Sequence, residues 1–154
     1  MKVANLTDAG FGSIITEIDL ENLSSEESRD ILSLWNERAL LIFPEAFLSK
    51  QGQDDFAQIF GNLEFPRTAI SNVGKNGIIH QDPDDDVVKV IRGNEGWHHD
   101  STYMPVQALG AVFTADIVSD EGGLTGWADM RAAYDALDLG TQEKIDTLSA
   151  FHSY

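Results

Sequence analysis

A run of short β-prone segments, each bounded by a turn sequence, places the strongest constraint on the fold of this chain. The stretches GKNG (74–77) and DPDDD (82–86) contain the Gly, Pro, Asn and Asp residues that favour tight turns. β-Branched and aromatic residues dominate the segments around these turns, as is typical of strands. We therefore predict strands at residues 68–73, 77–81, 87–91, 97–104 and 110–118.

Helices are predicted on both sides of this run. Ser24 and Glu27 form a capping box, and apolar residues follow at helical spacing. A second helix is expected to begin near Ser49 and to end by Gly61. A third is expected to begin at Asp129, with its buried side formed by Ala132, Ala133, Ala136 and Leu137, to end at Gly140, and to be followed by a fourth from Thr141.

The order of these elements predicts an α+β fold with an antiparallel β core. Residues 13–19 and 39–43 are also predicted as strands, and residues 150–154 as the beginning of another. The length of 154 residues fits one domain. Cysteine is absent, which excludes disulfides and thiolate metal ligands.

The net charge of −16 argues against a nucleic-acid partner, because binding to phosphates depends on Lys and Arg. The acidic stretches at 82–86 and 119–121 are interpreted as solvated loops, since the first lacks the Gly and distal Glu of an EF-hand. No apolar run is long enough for a membrane span, and the N-terminus does not have the character of a secretory signal. We expect a soluble, cytoplasmic protein.

The segment GNEGWHHDSTYMP (93–105) contains the candidate site. Alternate residues of a strand share a face, so His98 and Asp100 should point the same way and His99 the other way. One His and one Asp, with a second His from elsewhere, make the facial triad that binds Fe(II) and leaves positions open. From these residues alone, a polar strand at the surface remains the competing interpretation.

The residues around this pair resemble the iron-binding segment of the taurine/dichlorophenoxyacetate dioxygenase family. The pattern Asn, spacer, Trp-His-x-Asp, Ser/Thr, aromatic is matched by Asn94, Trp97, His98, Asp100 and the run that ends at Tyr103. A second family motif is matched by GGLTGWADMRAAYDAL (122–137), and ISNVGKNG (70–77) is similar to the dichlorophenoxyacetate branch. The resemblance covers essentially the whole chain.

This resemblance implies a double-stranded β-helix (jelly roll) with flanking helices and an Fe(II)- and 2-oxoglutarate-dependent dioxygenase. The implied reaction hydroxylates a small organic acid with O₂ and converts 2-oxoglutarate to succinate and CO₂. His98 and Asp100 would bind the iron, Thr125 would hydrogen-bond 2-oxoglutarate, and Asn94 would lie near the substrate. Trp97 and Tyr103 would either pack around the site or belong to the core.

The sequence departs from the family pattern in several places. Relatives supply the second His ligand and an Arg that clamps 2-oxoglutarate from beyond the position of Tyr154, and His152 falls where they carry a histidine that is not a ligand. Leu124 replaces a usual acid, which puts the geometry of that loop in question. The stretch NLEFPR (62–67) lacks the histidines used for taurine, so an aryloxy or alkyl carboxylate, a sulfonate or a sulfate ester is expected instead.

Other candidate residues receive structural interpretations. His99 is expected to be packed or solvent-facing, and His80 is assigned no role. Arg67, Arg92 and Arg131 are each expected to form structural ion pairs rather than to meet an anionic substrate.

Two hypotheses remain open at this point. In the first, residues 1–154 are the N-terminal part of a single dioxygenase domain. In the second, the chain is an inactive truncated paralogue or an assembly partner that lacks the distal His and Arg. The sequence is also compatible with a homo-oligomer.

Overall fold

A computed structural model describes residues 1–74 and 76–152. The chain divides into two compact units. The first contains Met1–Asn62 and Ala111–Ala150, and the second contains Leu63–Gly110 with residues 151–152. None of the helices in these described ranges is both long and apolar enough to cross a membrane.

A three-stranded mixed sheet lies in the first unit, in the order β1-β2-β3. β1 (Lys2–Asn5) pairs antiparallel with β2 (Ser13–Thr16), and β3 (Leu41–Ile42) pairs parallel with β2. The strands predicted at 13–19 and 39–43 are therefore confirmed, although both are shorter than expected. β1 was not predicted, since its four residues are all exposed and carry no alternating pattern.

The first helix, α1 (Ser25–Arg38), begins at the predicted capping box. The Ser24 hydroxyl oxygen accepts from the Glu27 backbone N–H at 3.2 Å, and the Ser24 backbone N–H donates to the Glu27 carboxylate at 3.0 Å. Two N–H groups that the first turn leaves without helical partners are satisfied in this way. These hydrogen bonds lower the pKa of the Glu27 carboxyl.

The second helix, α2 (Lys50–Gln58), begins after Ser49 as predicted. The Ser49 hydroxyl oxygen accepts from the Gly52 N–H at 3.0 Å, and the same hydroxyl donates to the Glu21 carboxylate at 2.6 Å. The hydrogen bonds from Ser49 lower the pKa of Glu21 and attach the start of α2 to the loop before α1. The helix ends at Gln58, before the predicted Gly61.

The core of the first unit forms where α1 and α2 meet. Ile31 of α1 is fully buried, and Leu20 and Phe56 complete the buried cluster. Edge-to-face ring pairs surround it, with centroid separations of 5.0 to 5.5 Å, between Trp35 and Phe60, Phe43 and Phe56, and Phe56 and Phe60. This packing fixes α1 and α2 against each other.

The predicted strands between residues 68 and 118 are wrong for the part of the chain that the structure describes. The run 87–91 lies in a helix, α3 (Asp86–Gly93), and the segments 68–73 and 77–81 share only an isolated bridge between Val73 and Ile79. Residues 97–104 and 110–118 form turns and irregular backbone. α3 forms because Asp85 caps it and because its apolar residues also fit helical spacing.

Two short helices close the first unit. α4 (Met130–Asp135) is capped by Asp129, as predicted, and α5 (Leu139–Ile145) is capped by Asp138. The prediction that Gly140 ends one helix and Thr141 opens the next is wrong, because the Asp138 carboxylate starts α5 before both residues. The residues expected on the buried side, Ala132, Ala133, Ala136 and Leu137, are exposed.

The described part of the chain therefore combines helices with a small mixed sheet. Residues 150–152 are not in a strand, and residues 153 and 154, which complete the predicted segment, lie outside the described residues.

Candidate metal centre

The candidate ligands lie in a loop that follows α3. The helix ends with Asn94 as its C-terminal cap, and the Asn94 N–H donates to the Ile91 carbonyl at 3.1 Å. The chain then passes through Gly96 into an irregular segment rather than into the predicted strand. α3 therefore determines where this loop starts.

His98 and Asp100 are brought together in this loop. The His98 Nε2 atom lies 3.2 Å from the Asp100 Oδ1 atom. The side chains are 49% and 65% exposed, so both remain open to an incoming ion. Strand alternation was expected to bring these two side chains together. In the structure they meet because the chain turns here.

A second contact defines which nitrogen of His98 carries hydrogen. Its Nδ1 atom lies 2.7 Å from the Gly96 carbonyl oxygen. A carbonyl oxygen can only accept, so Nδ1 carries the hydrogen and donates. In the neutral ring, Nε2 then presents its lone pair to the Asp100 carboxylate, and two acceptors face each other.

The chemistry of this arrangement fits a divalent cation. Two facing acceptors at 3.2 Å require a positive centre, which is either a proton on the imidazole or a metal ion. If a metal ion made bonds of about 2.1 Å to both ligand atoms at a right angle, those two atoms would lie about 3.0 Å apart, which is close to the observed spacing. The hydrogen bond from Nδ1 to a backbone carbonyl is also the usual support of a metal-binding histidine.

Within residues 1–74 and 76–152, no cluster of three or more His, Asp or Glu side chains is arranged to hold a metal ion.

Ser101 explains how the loop turns. Its φ is +61°, in the left-handed region that non-glycine residues rarely adopt, and the residue is buried. The Ser101 carbonyl accepts from the Met104 N–H at 3.0 Å, which closes a turn directly after Asp100. A strained residue held by its surroundings is common beside functional groups. The sequence carried no signal for this conformation.

The neighbouring histidines contact other groups. The His99 Nδ1 atom lies 2.6 Å from the Gln107 amide nitrogen, in keeping with the expectation that His99 does not share the direction of His98. His152 Nδ1 lies 2.7 Å from the Thr102 hydroxyl oxygen.

Thr125 lies in the first unit, in an exposed irregular segment. Gly122 and Gly123 precede it with φ of +72° and +63°, which glycine adopts without strain. Leu124, at the usual acidic position, is 96% exposed.

The two aromatic residues beside the ligands do not belong to the core. Trp97 is 78% exposed and Tyr103 is 41% exposed. The interpretation of these residues as core is therefore wrong.

Arg131 and His80 each have structural contacts. Arg131 Nε lies 3.2 Å from Asp129 Oδ1, which is the structural ion pair expected for it. Its guanidinium also donates to the Asn36 and Glu37 carbonyls at 3.2 and 3.3 Å and so satisfies the C-terminal end of α1. His80, which was assigned no role, contacts the Asp85 carboxylate through Nδ1 at 2.7 Å. The hydrogen bond from His80 holds the pKa of Asp85 below its usual value. The acidic DPDDD stretch had been interpreted only as a solvated loop, and that interpretation missed this contact.

Comparison with known proteins decides the family. The model of the taurine catabolism dioxygenase TauD, TfdA family matches residues 2–154. The chain belongs to the TauD/TfdA family. One relative is the (S)-phenoxypropionate/alpha-ketoglutarate-dioxygenase of Sphingobium herbicidovorans, with 50% identity over 95% of this chain and 51% of the relative. The alpha-ketoglutarate-dependent 2,4-dichlorophenoxyacetate dioxygenase of Cupriavidus pinatubonensis is 36% identical over 97% of this chain and 58% of its own length.

A solved TauD/TfdA-type structure also resembles this chain. It is AAD-2 in complex with Mn(II) and N-oxalylglycine, with a TM-score of 0.82 and 31% identity over 95% of this chain and 54% of that chain. The present chain spans about half the length of the curated relatives it matches.

Proposed function

We propose that the intact protein is an Fe(II)- and 2-oxoglutarate-dependent dioxygenase that hydroxylates a small organic acid and releases succinate and CO₂. Residues 1–154 would supply the N-terminal part of a single catalytic domain with the jelly-roll fold. The observation that carries the proposal is the 3.2 Å approach of His98 Nε2 to Asp100 Oδ1. Membership of the TauD/TfdA family supports it.

His98 and Asp100 would bind Fe(II) as a neutral imidazole and a carboxylate, two ligands of a facial triad. The second His and the Arg that binds 2-oxoglutarate would come from residues outside this sequence. When bound, Fe(II) supplies the redox chemistry that couples O₂ to oxidation of 2-oxoglutarate and of the substrate. The protein contributes ligands in a fixed orientation and leaves coordination positions open.

Residues of this chain orient the reactants. The hydrogen bond from His98 Nδ1 to the Gly96 carbonyl would hold the ring so that Nε2 faces the metal. Thr125 would donate its hydroxyl hydrogen to a carboxylate of 2-oxoglutarate. Asn94, at the end of α3, would lie near the substrate.

The substrate class proposed is an aryloxyalkanoate first, and an alkyl carboxylate, sulfonate or sulfate ester second. Phenoxypropionate and 2,4-dichlorophenoxyacetate are named for the relatives at 50% and 36% identity. Relatives at 27% and 26% identity are an alkylsulfatase and a sulfonate dioxygenase. Hydroxylation at the carbon next to the ether oxygen gives a hemiacetal, which breaks down to a phenol and a carbonyl acid.

The test is an anaerobic titration of the intact protein with Fe(II) in the presence of 2-oxoglutarate, followed by the visible charge-transfer band of the chelate. We expect a saturable band in the natural protein. In His98→Ala the affinity for Fe(II) should fall by more than about 100-fold, because loss of a residue that only supports a ligand already costs about 10- to 100-fold.

His99→Ala is the matched control, since it removes the adjacent imidazole. Its affinity for Fe(II) should stay within about threefold of the natural protein, because His99 contacts Gln107 rather than Asp100 Oδ1. Equal losses in the two variants would contradict the ligand assignment, and absence of the band in the natural protein would contradict the enzymatic proposal.

A second candidate function is that of an assembly partner without activity of its own. Exposed apolar side chains favour it, because Leu124 is 96% exposed and Ile117 is 83% exposed. Large exposed apolar patches commonly mark surfaces that another chain covers. The anaerobic titration tests this candidate too, because a partner that needs another chain for the missing His and Arg should give no charge-transfer band on its own. A saturable band from the purified protein would exclude it.

A further inference from the structure

His80 connects two segments of the second unit. Its Nδ1 atom lies 2.7 Å from Asp85 Oδ2. The other oxygen of that carboxylate, Oδ1, accepts from the Val87 N–H at 2.8 Å and caps α3. Because a carboxylate oxygen accepts, His80 Nδ1 is the donor, and one carboxylate joins an imidazole to the first turn of a helix.

The backbone of His80 is held by a separate set of contacts. Its N–H donates to the Asn72 carbonyl at 2.7 Å, and its carbonyl accepts from the Asn72 side-chain amide at 3.2 Å. The bridge between Val73 and Ile79 lies directly inside this pair. His80 is therefore anchored to the segment before it while its ring reaches Asp85.

The position of Gly74 restricts the ring further. A Cβ atom added to Gly74 would lie 2.8 Å from His80 Nε2, which is closer than a Cβ atom normally lies to any non-bonded heavy atom. The imidazole thus lies against the backbone of Gly74. A side chain at this position would force the His80 ring or the residue itself to shift.

α3 is a short helix for which the N-terminal cap matters. It has eight residues, all described, and none of them is buried. A helix of this length is marginal without packing or caps. The Asp85 carboxylate is the side-chain cap at its N-terminal end, and His80 fixes the orientation of that carboxylate.

α3 leads directly to the metal loop. It extends over about 12 Å and ends at Gly93, and the Gly96 carbonyl that receives the His98 hydrogen bond follows within three residues. Displacement or fraying of α3 would move this carbonyl. The His98 ring would then lose the contact that directs Nε2 toward Asp100.

We propose that His80 is a positioning residue of the metal centre, which acts through the Asp85 cap and α3 to hold Gly96 and His98 in place. The proposal rests on the proposed function, because it assumes that His98 binds the metal. His80 itself touches neither ligand in this scheme and would not contact the substrate.

Most of the charged residues near His80 and Asp85 in the sequence are acidic. Asp82, Asp84 and Asp86 flank Asp85 in the sequence, and Lys89 Nζ lies 3.9 Å from Asp84. Asp84→Asn is therefore a suitable control for a change of charge in this loop, since its side chain is 94% exposed.

The experiment compares His80→Ala, His80→Asn and Asp84→Asn in the intact protein, with Fe(II) affinity from anaerobic titration as the first measurement. His80→Ala should bind Fe(II) about tenfold more weakly, at the lower end of the roughly 10- to 100-fold effect of residues that support metal ligands. His80→Asn should restore the affinity to within about twofold, because the Asn amide can donate to Asp85 from a similar position. Asp84→Asn should match the natural protein.

Hydrogen exchange of the amides supplies a measurement that does not depend on bound metal. In His80→Ala the amides of α3 should exchange about tenfold faster, while those of α1 stay unchanged. Unchanged Fe(II) affinity in His80→Ala, no rescue by His80→Asn, or equal acceleration in α1 and α3 would each overturn the proposal. If the natural protein fails to bind Fe(II) while α3 responds as expected, the proposed function fails, and the link from His80 to α3 stands without a metal role.

Discussion

Replacement of Ile31 tests whether the packing between α1 and α2 is the stabilising centre of the first unit. Ile31 has 0% relative exposure and packs with Leu20 and Phe56. Ile31→Ala removes three carbon atoms, which corresponds to roughly 2.4 kcal/mol of lost transfer free energy at about 0.8 kcal/mol for each buried CH₂ group. A cavity term adds to this, so we expect the free energy of unfolding to fall by about 3–4 kcal/mol.

Urea denaturation of the intact protein, followed by circular dichroism, measures this loss. Ile31→Val removes a single carbon atom and should cost about 1 kcal/mol. Ser33→Ala changes an exposed residue of the same helix and should stay within about 0.5 kcal/mol of the natural protein. A loss below about 1 kcal/mol for Ile31→Ala would mean that Ile31 is not enclosed as described, and the account of this core would be refuted.

Three further predictions concern the caps and contacts of the first unit. The pKa of Glu27 is lowered by its hydrogen bonds with Ser24, so its contribution to stability is present above the unfolded value and is lost as pH falls through the folded value. In urea titrations of Glu27→Gln, the free energy of unfolding should fall less steeply between about pH 5 and pH 3 than in the natural protein. An equally steep fall would contradict this role of Glu27. Arg131→Lys should lower the stability measured in urea by about 1 kcal/mol or less, because an ammonium cannot reach both carbonyls at the end of α1 as the guanidinium does; no change would mean that this contact contributes nothing. Gly52→Ala should lower the thermal midpoint although Ala favours helices, because its Cβ would lie 2.5 Å from the Glu21 carboxylate; a raised midpoint would contradict the crowding.

The helices with capping signals were the part of the fold most accessible from the sequence. Ser24, Ser49 and Asp129 were each identified as the start of a helix, and each caps one. A cap depends on a side chain and a backbone N–H two or three residues away, so its signal is local. Asp138 was missed because Gly140 and Thr141 had been interpreted as the end of one helix and the start of the next.

The run 87–91 shows why the β-rich region was misjudged. Its β-branched residues favour strands, but Val87, Val90 and Ile91 also fit one side of a helix. The decisive information was Asp85 before the run and Arg92 at its end, which suit the two ends of a helix. Composition outweighed these end signals in the prediction.

The convergence of His98 and Asp100 was predicted, but for a reason that the structure does not support. Strand alternation was expected to align the side chains, whereas a turn at Ser101 with φ of +61° follows Asp100 instead. The backbone state of a single serine depends on its surroundings and is not encoded in a local pattern. The contact of His80 with Asp85 escaped prediction because the acidic stretch 82–86 was interpreted as a solvated loop with no side-chain partners.

The most direct test of the central claim is NMR of the histidine ring nitrogens in the intact protein, labelled with ¹⁵N-histidine and titrated with Zn(II) as a diamagnetic substitute for Fe(II). We predict that His98 Nε2 shifts on addition of Zn(II) while His98 Nδ1 keeps its hydrogen, and that His99 does not respond. A shift of His98 Nδ1 in place of Nε2, or a response of His99 without His98, would contradict the claim that His98 and Asp100 form the metal centre.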